Sequence, residues 1–223
     1  MFRNREHAGS QLADCLNRRH FRNPLVLAIP RGGVMVGAVI AQELKAELDV
    51  VLSRKLRAPM QPELAIGAIS EGGEVHLNPS AEDALGIDPD YLGQERHHQL
   101  LEIARRKELF RRVRPQAEVA GRSVIVTDDG LATGSTMIAA LQSIQPQNPY
   151  ELIVAVPVAS SDRLADVHQL CNGVVCLLAP DSFLAIGQFY KDFDPVEDEE
   201  VVRLLRRFGV APAGAQAFPD ANS

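Results

Sequence analysis

The sequence predicts an α/β fold: a mostly parallel five-stranded sheet flanked by helices. Three observations predict it. Short apolar runs recur at residues 25–29, 47–53, 123–127, 150–156 and 173–178, and strands buried on both faces of a parallel sheet read as continuous runs rather than alternations. Stretches with apolar residues at helical spacing separate these runs, the order expected of parallel strands with helical crossovers. The chain is 46% hydrophobic but only 5% aromatic, with no Trp, which suits a Val/Leu/Ala core better than an aromatic-rich β-sandwich.

The 223 residues suffice for one well-buried core, and no Pro/Gly/Ser-rich linker divides them, so residues 1–208 are expected to form a single domain. Residues 209–223, rich in Ala, Pro and Gly, are expected to be a disordered tail. A net charge of −6 argues against nucleic acid as a partner. Cys15, Cys171 and Cys176 lack the double-pair spacing of a zinc site and read as reduced core residues. The opening residues are charged rather than apolar, and no run approaches the length of a membrane span. The expectation is a cytoplasmic protein with no membrane partner.

In chain order, residues 2–20 place Phe2, Leu12, Ala13 and Leu16 among charges, as in an amphipathic helix on the sheet. The strand at 25–29 runs into Pro30-Arg31-Gly32-Gly33 and a helix over 34–44. The strand at 47–53 ends in Ser53-Arg54-Lys55-Leu56-Arg57, a cation cluster at a strand's carboxyl end, where open α/β sheets bind ligands. Residues 57–75 are broken by Pro59, Pro62, Gly67, Gly72 and Gly73. A long amphipathic helix follows over 88–113, with Leu100, Ile103, Phe110 and Val113 on its apolar side. Adjacent His97 and His98 point about 100° apart on such a helix and make a poor metal pair, so they read as solvated. After the strand at 150–156 come a helix at 160–170, a strand at 173–178, an aromatic-rich stretch over 181–194, and a helix with an acidic start.

The remaining stretch carries the chemistry. Val124-Ile-Val-Thr-Asp-Asp-Gly-Leu-Ala-Thr-Gly-Ser-Thr136 is an apolar strand, two adjacent carboxylates, a loop of small residues and the start of a helix. Such a loop lets backbone N–H groups approach a ligand, and the helix start adds a partial positive charge. It is built to cradle a phosphate monoester. Asp128 and Asp129 would repel that phosphate, so they suit hydroxyl groups that donate hydrogen bonds, as on a ribose.

This pattern resembles the signature for phosphoribosyl pyrophosphate (PRPP) of the type I phosphoribosyltransferases. The resemblance implies a five-stranded core with a small hood, formed from about 180–195 and parts of the N-terminal region, and a mobile hairpin over 57–75 that closes on the site. It implies transfer of the 5-phosphoribosyl group to a nitrogenous base with release of pyrophosphate, aided by Mg²⁺ held by PRPP and water rather than by direct protein ligands. Asp128 and Asp129 would hold the ribose hydroxyls, while Gly130, Leu131, Ala132, Thr133, Gly134, Ser135 and Thr136 would hold the 5′-phosphate. Arg31, Gly32 and Gly33 would line the pyrophosphate loop, where many members have a non-proline cis peptide bond. Arg54 and Lys55 would face the pyrophosphate, and Phe189 and Tyr190 would stack on the base. A homodimer, joined through the long helix, is expected.

A rival reading is a regulatory protein that binds PRPP or a nucleotide without chemistry, since one fold hosts many functions. The 6-oxopurine enzymes of the family usually carry an Asp where this chain has Ala132. Proton transfer would then fall to another group such as Glu63 or Glu71, and weak or absent use of hypoxanthine and guanine is expected.

Overall fold

The structure is a computed structural model that describes residues 1–59, 61–77 and 88–209, with only the main chain at 61–64 and 209. Its strands are β1 (Leu25–Ala28), β2 (Glu47–Val50), β3 (Ser53–Ala58), β4 (Gln61–Ser70), β5 (Val75–Leu77), β6 (Ser123–Thr127), β7 (Glu151–Val158) and β8 (Gly173–Leu178). Five of them form the expected parallel sheet, in the order β2-β1-β6-β7-β8, and β3, β4 and β5 form a small antiparallel sheet. The helices are α1 (Arg5–Leu16), α2 (Gly32–Leu44), α3 (Pro89–Arg111), α4 (Ser135–Ile144), α5 (Ser161–His168) and α6 (Asp198–Gly209).

Strand alternation sorts the core into two layers. Leu25, Leu27, Val124, Val126, Leu152 and Val154 face Met137 and Leu141 of α4 and Val167 of α5. Val26, Ala28, Ile125 and Ile153 face the other way, toward Leu12 of α1, Ile40 of α2 and Val201 of α6. Every residue of β1 and β6 is buried, which is why both strands read as unbroken apolar runs.

The segment at 47–53 departs from the expected single strand. β2 stops at Val50, the Val51 N–H bonds Ala28 O (3.1 Å), and the chain re-enters at Ser53 as β3. Arg54 and Lys55 therefore lie on a strand rather than in a loop after one. The reason is pattern: Leu56 and Ala58 turn inward while Arg54, Lys55 and Arg57 stay partly exposed, and β4 pairs with this edge.

The cysteines, read as core residues, are exposed (Cys15) or half-buried (Cys171, Cys176). His97 and His98 are exposed. The tail at 210–223 lies outside the described residues. Among the described residues, no helix is long and apolar enough to cross a membrane.

Helix α3 begins at Pro89, a favoured first helical residue, with the Asp90 N–H bonded to the Asp88 carboxylate (3.0 Å). Ile103 and Phe110 are buried, and the polar residues of the same side tie the helix to the small sheet. Glu95 accepts from the backbone N–H of Arg57 (3.0 Å) and from its guanidinium (2.8 and 3.0 Å). Arg111 bridges Asp49 (2.7 Å) and Glu71 (3.0 Å). The body of the hairpin expected to be mobile is thus fastened to α3, and the length of that helix is used within one chain.

Candidate active site

Because β1 lies between β2 and β6, the segments leaving their carboxyl ends meet on one edge of the sheet. The Ile29 N–H bonds Thr127 O (2.9 Å), bringing residues 30–33 beside the two acids. A non-proline cis peptide links Pro30 to Arg31, within the loop where the resemblance implies one. The glycines serve close approach. A Cβ on Gly32 would lie 1.9 Å from Asp129 Oδ2, and one on Gly33 would lie 2.9 Å from Asp128 Cα.

The two carboxylates have different surroundings. Asp129 is buried, its Oδ2 accepts from Arg5 Nε (2.8 Å), and its backbone carbonyl accepts from the Tyr190 hydroxyl (2.7 Å). Asp128 is half-buried and accepts the Asp129 N–H (2.8 Å). Desolvation at the crowded strand end, followed by the charge of Asp129, pushes the Asp128 carboxyl well above the usual carboxylate range.

Sequence reasoning missed Arg5. It lies on the buried face of α1 with Ala8, Leu12 and Leu16, and besides Asp129 it donates to Asp194 O (2.8 Å) and sits 3.8 Å over the Phe193 ring. The available signal was spacing, since an arginine in register with an apolar face needs a buried partner.

Downstream of the acids, residues 130–134 and Thr136 border a concavity of about 130 Å³ that Asp128 also lines. Gly134 has φ +72°, a conformation that turns the chain into α4 and is costly for a side-chain-bearing residue. The first N–H groups of α4 have no intrahelical acceptor, and that of Ser135 bonds the Thr133 hydroxyl (3.4 Å). Leu131 does not contribute its N–H, which is bonded to Val158 O (2.8 Å) while its carbonyl accepts from Ser160 (3.0 Å).

On the other side lies a cavity of about 310 Å³ between residues 29–30, β3 and α3. Arg54, Lys55 and Arg57 line it together with Gln99, Glu102 and Arg106 of α3, and Thr136 lines both cavities. The sequence reading includes Arg54 and Lys55 but not the α3 residues. The Arg54 Nε bonds Gln99 Oε1 (3.0 Å). Arg31, expected to line the pyrophosphate loop, pairs with Glu197 (3.2 Å) at a half-exposed position.

The hood corrects one expectation and narrows another. Tyr190 is buried, with its ring stacked on Phe193 (centroids 4.9 Å) and tilted against Phe2 (5.3 Å). It is therefore a core residue of the hood and leaves no open face for a base. Phe189 is half-buried beside Phe183 (5.2 Å), and the neighbouring Leu184 is 88% exposed. Of the suggested proton acceptors, Glu71 is buried in its ion pair with Arg111 and is not available; the side chain of Glu63 lies outside the described residues.

A parallel sheet with a small-residue loop, paired acids and a cation-lined cavity at its carboxyl edge defines a recognisable class. The family model for the phosphoribosyl transferase domain matches residues 3–194, and the chain belongs to that family. A Mycobacterium tuberculosis H37Rv protein named "Putative phosphoribosyl transferase Rv0571c" is 40% identical over 207 residues, covering 93% of this chain and 47% of its own length. The chain thus spans about half the length of the curated relatives it matches. TT1426 from Thermus thermophilus is 44% identical, with a TM-score of 0.89 over 93% of this chain and 99% of that one. AQ2163 from Aquifex aeolicus, 13% identical with a TM-score of 0.50 over 82% and 78% of the two chains, shares the fold alone.

Proposed function

We propose that this domain binds PRPP and transfers its 5-phosphoribosyl group to a nitrogenous base, releasing pyrophosphate. One observation carries the reading: Asp128 at the end of β6 lines a small-residue concavity, and a cation-lined cavity opens beside that concavity, with Thr136 lining both. A ribose with an anion at each end matches that order of groups. The hydroxyls would meet Asp128 and the free oxygen of Asp129. The 5′-phosphate would sit at Ala132–Thr136 on the N-terminus of α4. The pyrophosphate would face Arg31, Gly32, Gly33, Arg54 and Lys55, with the base toward Phe189.

As the bond from carbon 1 to pyrophosphate breaks, positive charge grows on the sugar and negative charge on the leaving group. Preorganised cations near the leaving group stabilise that separation more than they stabilise the ground state. Arg5 already compensates Asp129, so Mg²⁺ would be carried mainly by the oxygens of the substrate and by water. When bound, the ion supplies charge neutralisation at the pyrophosphate oxygens.

The test is pyrophosphate release from PRPP and Mg²⁺ with a panel of purine and pyrimidine bases, beside calorimetry with PRPP alone. Release with at least one base is expected, and the absence of both release and binding refutes the proposal. Tight PRPP binding without turnover supports the second reading, a PRPP-responsive regulator. Two observations favour that reading: Asp129 is pre-engaged by Arg5, and residue 132 is an alanine that cannot move a proton.

A further inference from the structure

The cavity beside Arg54 has a wall that the proposed reaction leaves unexplained. Gln99, Glu102, Ile103 and Arg106 line it, and their spacing of three, one and three places them on one face of α3. Packing accounts for Ile103, which is buried. It does not account for Arg106, a half-buried cation whose nearby carboxylate, Asp198, is hydrogen-bonded to Arg105 instead. Burial lowers the Arg106 pKa, and the charges of Arg54, Arg105 and Arg31 lower it further, against the opposing pull of Asp198.

The neighbouring cations are largely compensated. Arg57 is paired with Glu95, Arg31 with Glu197 and Arg105 with Asp198. Arg54 bonds a neutral amide. Arg54 of β3 and Arg106 of α3 thus line one cavity from two elements, with more cationic than anionic side chains among the described residues that line it. Such an arrangement is relieved by an anion in the cavity. An anion with oxygens on two centres can meet both guanidinium groups at once, each through charge-assisted hydrogen bonds.

Resting on the PRPP reading, we propose that α3 supplies one wall of the pyrophosphate pocket: Arg106 contacts the pyrophosphate together with Arg54, and Glu102, one turn away, weakens the hold so that product leaves. The long helix then has a function inside its own chain. It clamps the hairpin through Glu95 and presents Arg106 to the leaving group.

The experiment is calorimetry of the full chain with magnesium pyrophosphate and, separately, ribose 5-phosphate, for the wild type and for Arg106→Gln, Arg106→Lys, Glu102→Gln and Arg105→Gln. Thermal unfolding of each variant reports folding. Loss of one charge-assisted contact predicts pyrophosphate binding about 10- to 100-fold weaker in Arg106→Gln, with ribose 5-phosphate affinity unchanged and partial recovery in Arg106→Lys. Removing the repelling carboxylate in Glu102→Gln tightens pyrophosphate binding about 2- to 5-fold. Arg105→Gln, whose guanidinium points to Asp198, changes neither.

If the wild type binds pyrophosphate and both Arg106→Gln and Glu102→Gln leave that affinity unchanged, the inference is overturned while the PRPP reading stands. Should Arg106→Gln not fold, the sign of the Glu102→Gln effect decides, since Glu102 is exposed. Wild-type binding of ribose 5-phosphate without pyrophosphate overturns the pocket assignment. Binding of neither, with no PRPP binding, overturns both readings.

Discussion

Replacing Arg5 by methionine tests whether the ion pair with Asp129 joins α1, the acids and the hood. Methionine keeps an apolar stem on the buried face of α1 and removes the guanidinium. Both partners are nearly buried, with side-chain exposures of 11% and 12%, so the variant strands a carboxylate away from water. Breaking a buried pair from one side costs about 3 to 5 kcal/mol. The Asp194 carbonyl and the Phe193 ring lose their partner in the same step. For a domain of this size 1 kcal/mol moves Tm by about 2 to 4 °C, so a fall of roughly 6 to 20 °C is expected. Urea unfolding of Arg5→Met, Asp129→Asn and the double variant gives the coupling directly. The double variant should recover part of the loss, because no unpaired charge then remains buried. A cost below about 1 kcal/mol, the range of exposed pairs, would refute the reasoning.

Asp128→Asn should stabilise the ligand-free protein while weakening PRPP binding at least about tenfold, because it removes a charge-assisted bond. The folded pKa of Asp128 is raised, so the folded state binds this proton more tightly, and stability falls as pH rises from the unfolded value of about 4 through the folded one. The gain in Tm from Asn is therefore expected at pH 7 and absent below about pH 4; a gain that persists in acid would contradict it. Gly32→Ala should destabilise the fold by about 1 to 3 kcal/mol and abolish PRPP binding in calorimetry, since Asp129 is pinned by Arg5 and cannot yield to the new methyl. Lys55→Ala should weaken pyrophosphate binding and spare nucleoside 5′-monophosphates, because the concavity at residues 130–136 lies elsewhere; equal weakening of both would remove Lys55 from the pyrophosphate end.

What was legible in the sequence follows the range of the interactions involved. The five parallel strands were readable because burial on both faces leaves a local mark, an apolar run such as Val124–Val126. The acids and the glycine loop were readable because their spacing is local too. The Arg5–Asp129 pair spans 124 positions, and nothing near either residue names the other. Arg54 shows a different failure: Ser-Arg-Lys-Leu-Arg-Ala reads as the exit from a strand until β4 supplies its partner. Tyr190 was misjudged because an aromatic beside a ligand site and an aromatic in a small core have the same local sequence. Contacts from distant parts of the chain, with Phe2 and with the Asp129 carbonyl, separate the two cases.

The acceptor's chemistry is narrowed by where the carboxylates lie. Glu71 is held in the Asp49–Arg111–Glu71 network, and Asp129 is compensated by Arg5. Glu102 stands on the α3 wall of the cation-lined cavity rather than near the hood. Among the described residues, Asp128 is the acid left at the sheet edge by that comparison, and its raised pKa would suit a proton acceptor. On the proposed reading, however, its oxygens are taken up by the ribose hydroxyls just when a base would need them. A bound sugar that donates hydrogen bonds also favours the ionised form of Asp128, which returns its pKa toward the ordinary range and lowers its basicity. On that reading, binding PRPP would remove the best-placed proton acceptor from the reaction. A base that attacks in this site would have to arrive with its nitrogen lone pair already free, so the hood's selection of tautomer and ionisation state would set the substrate range more than proton transfer by the chain.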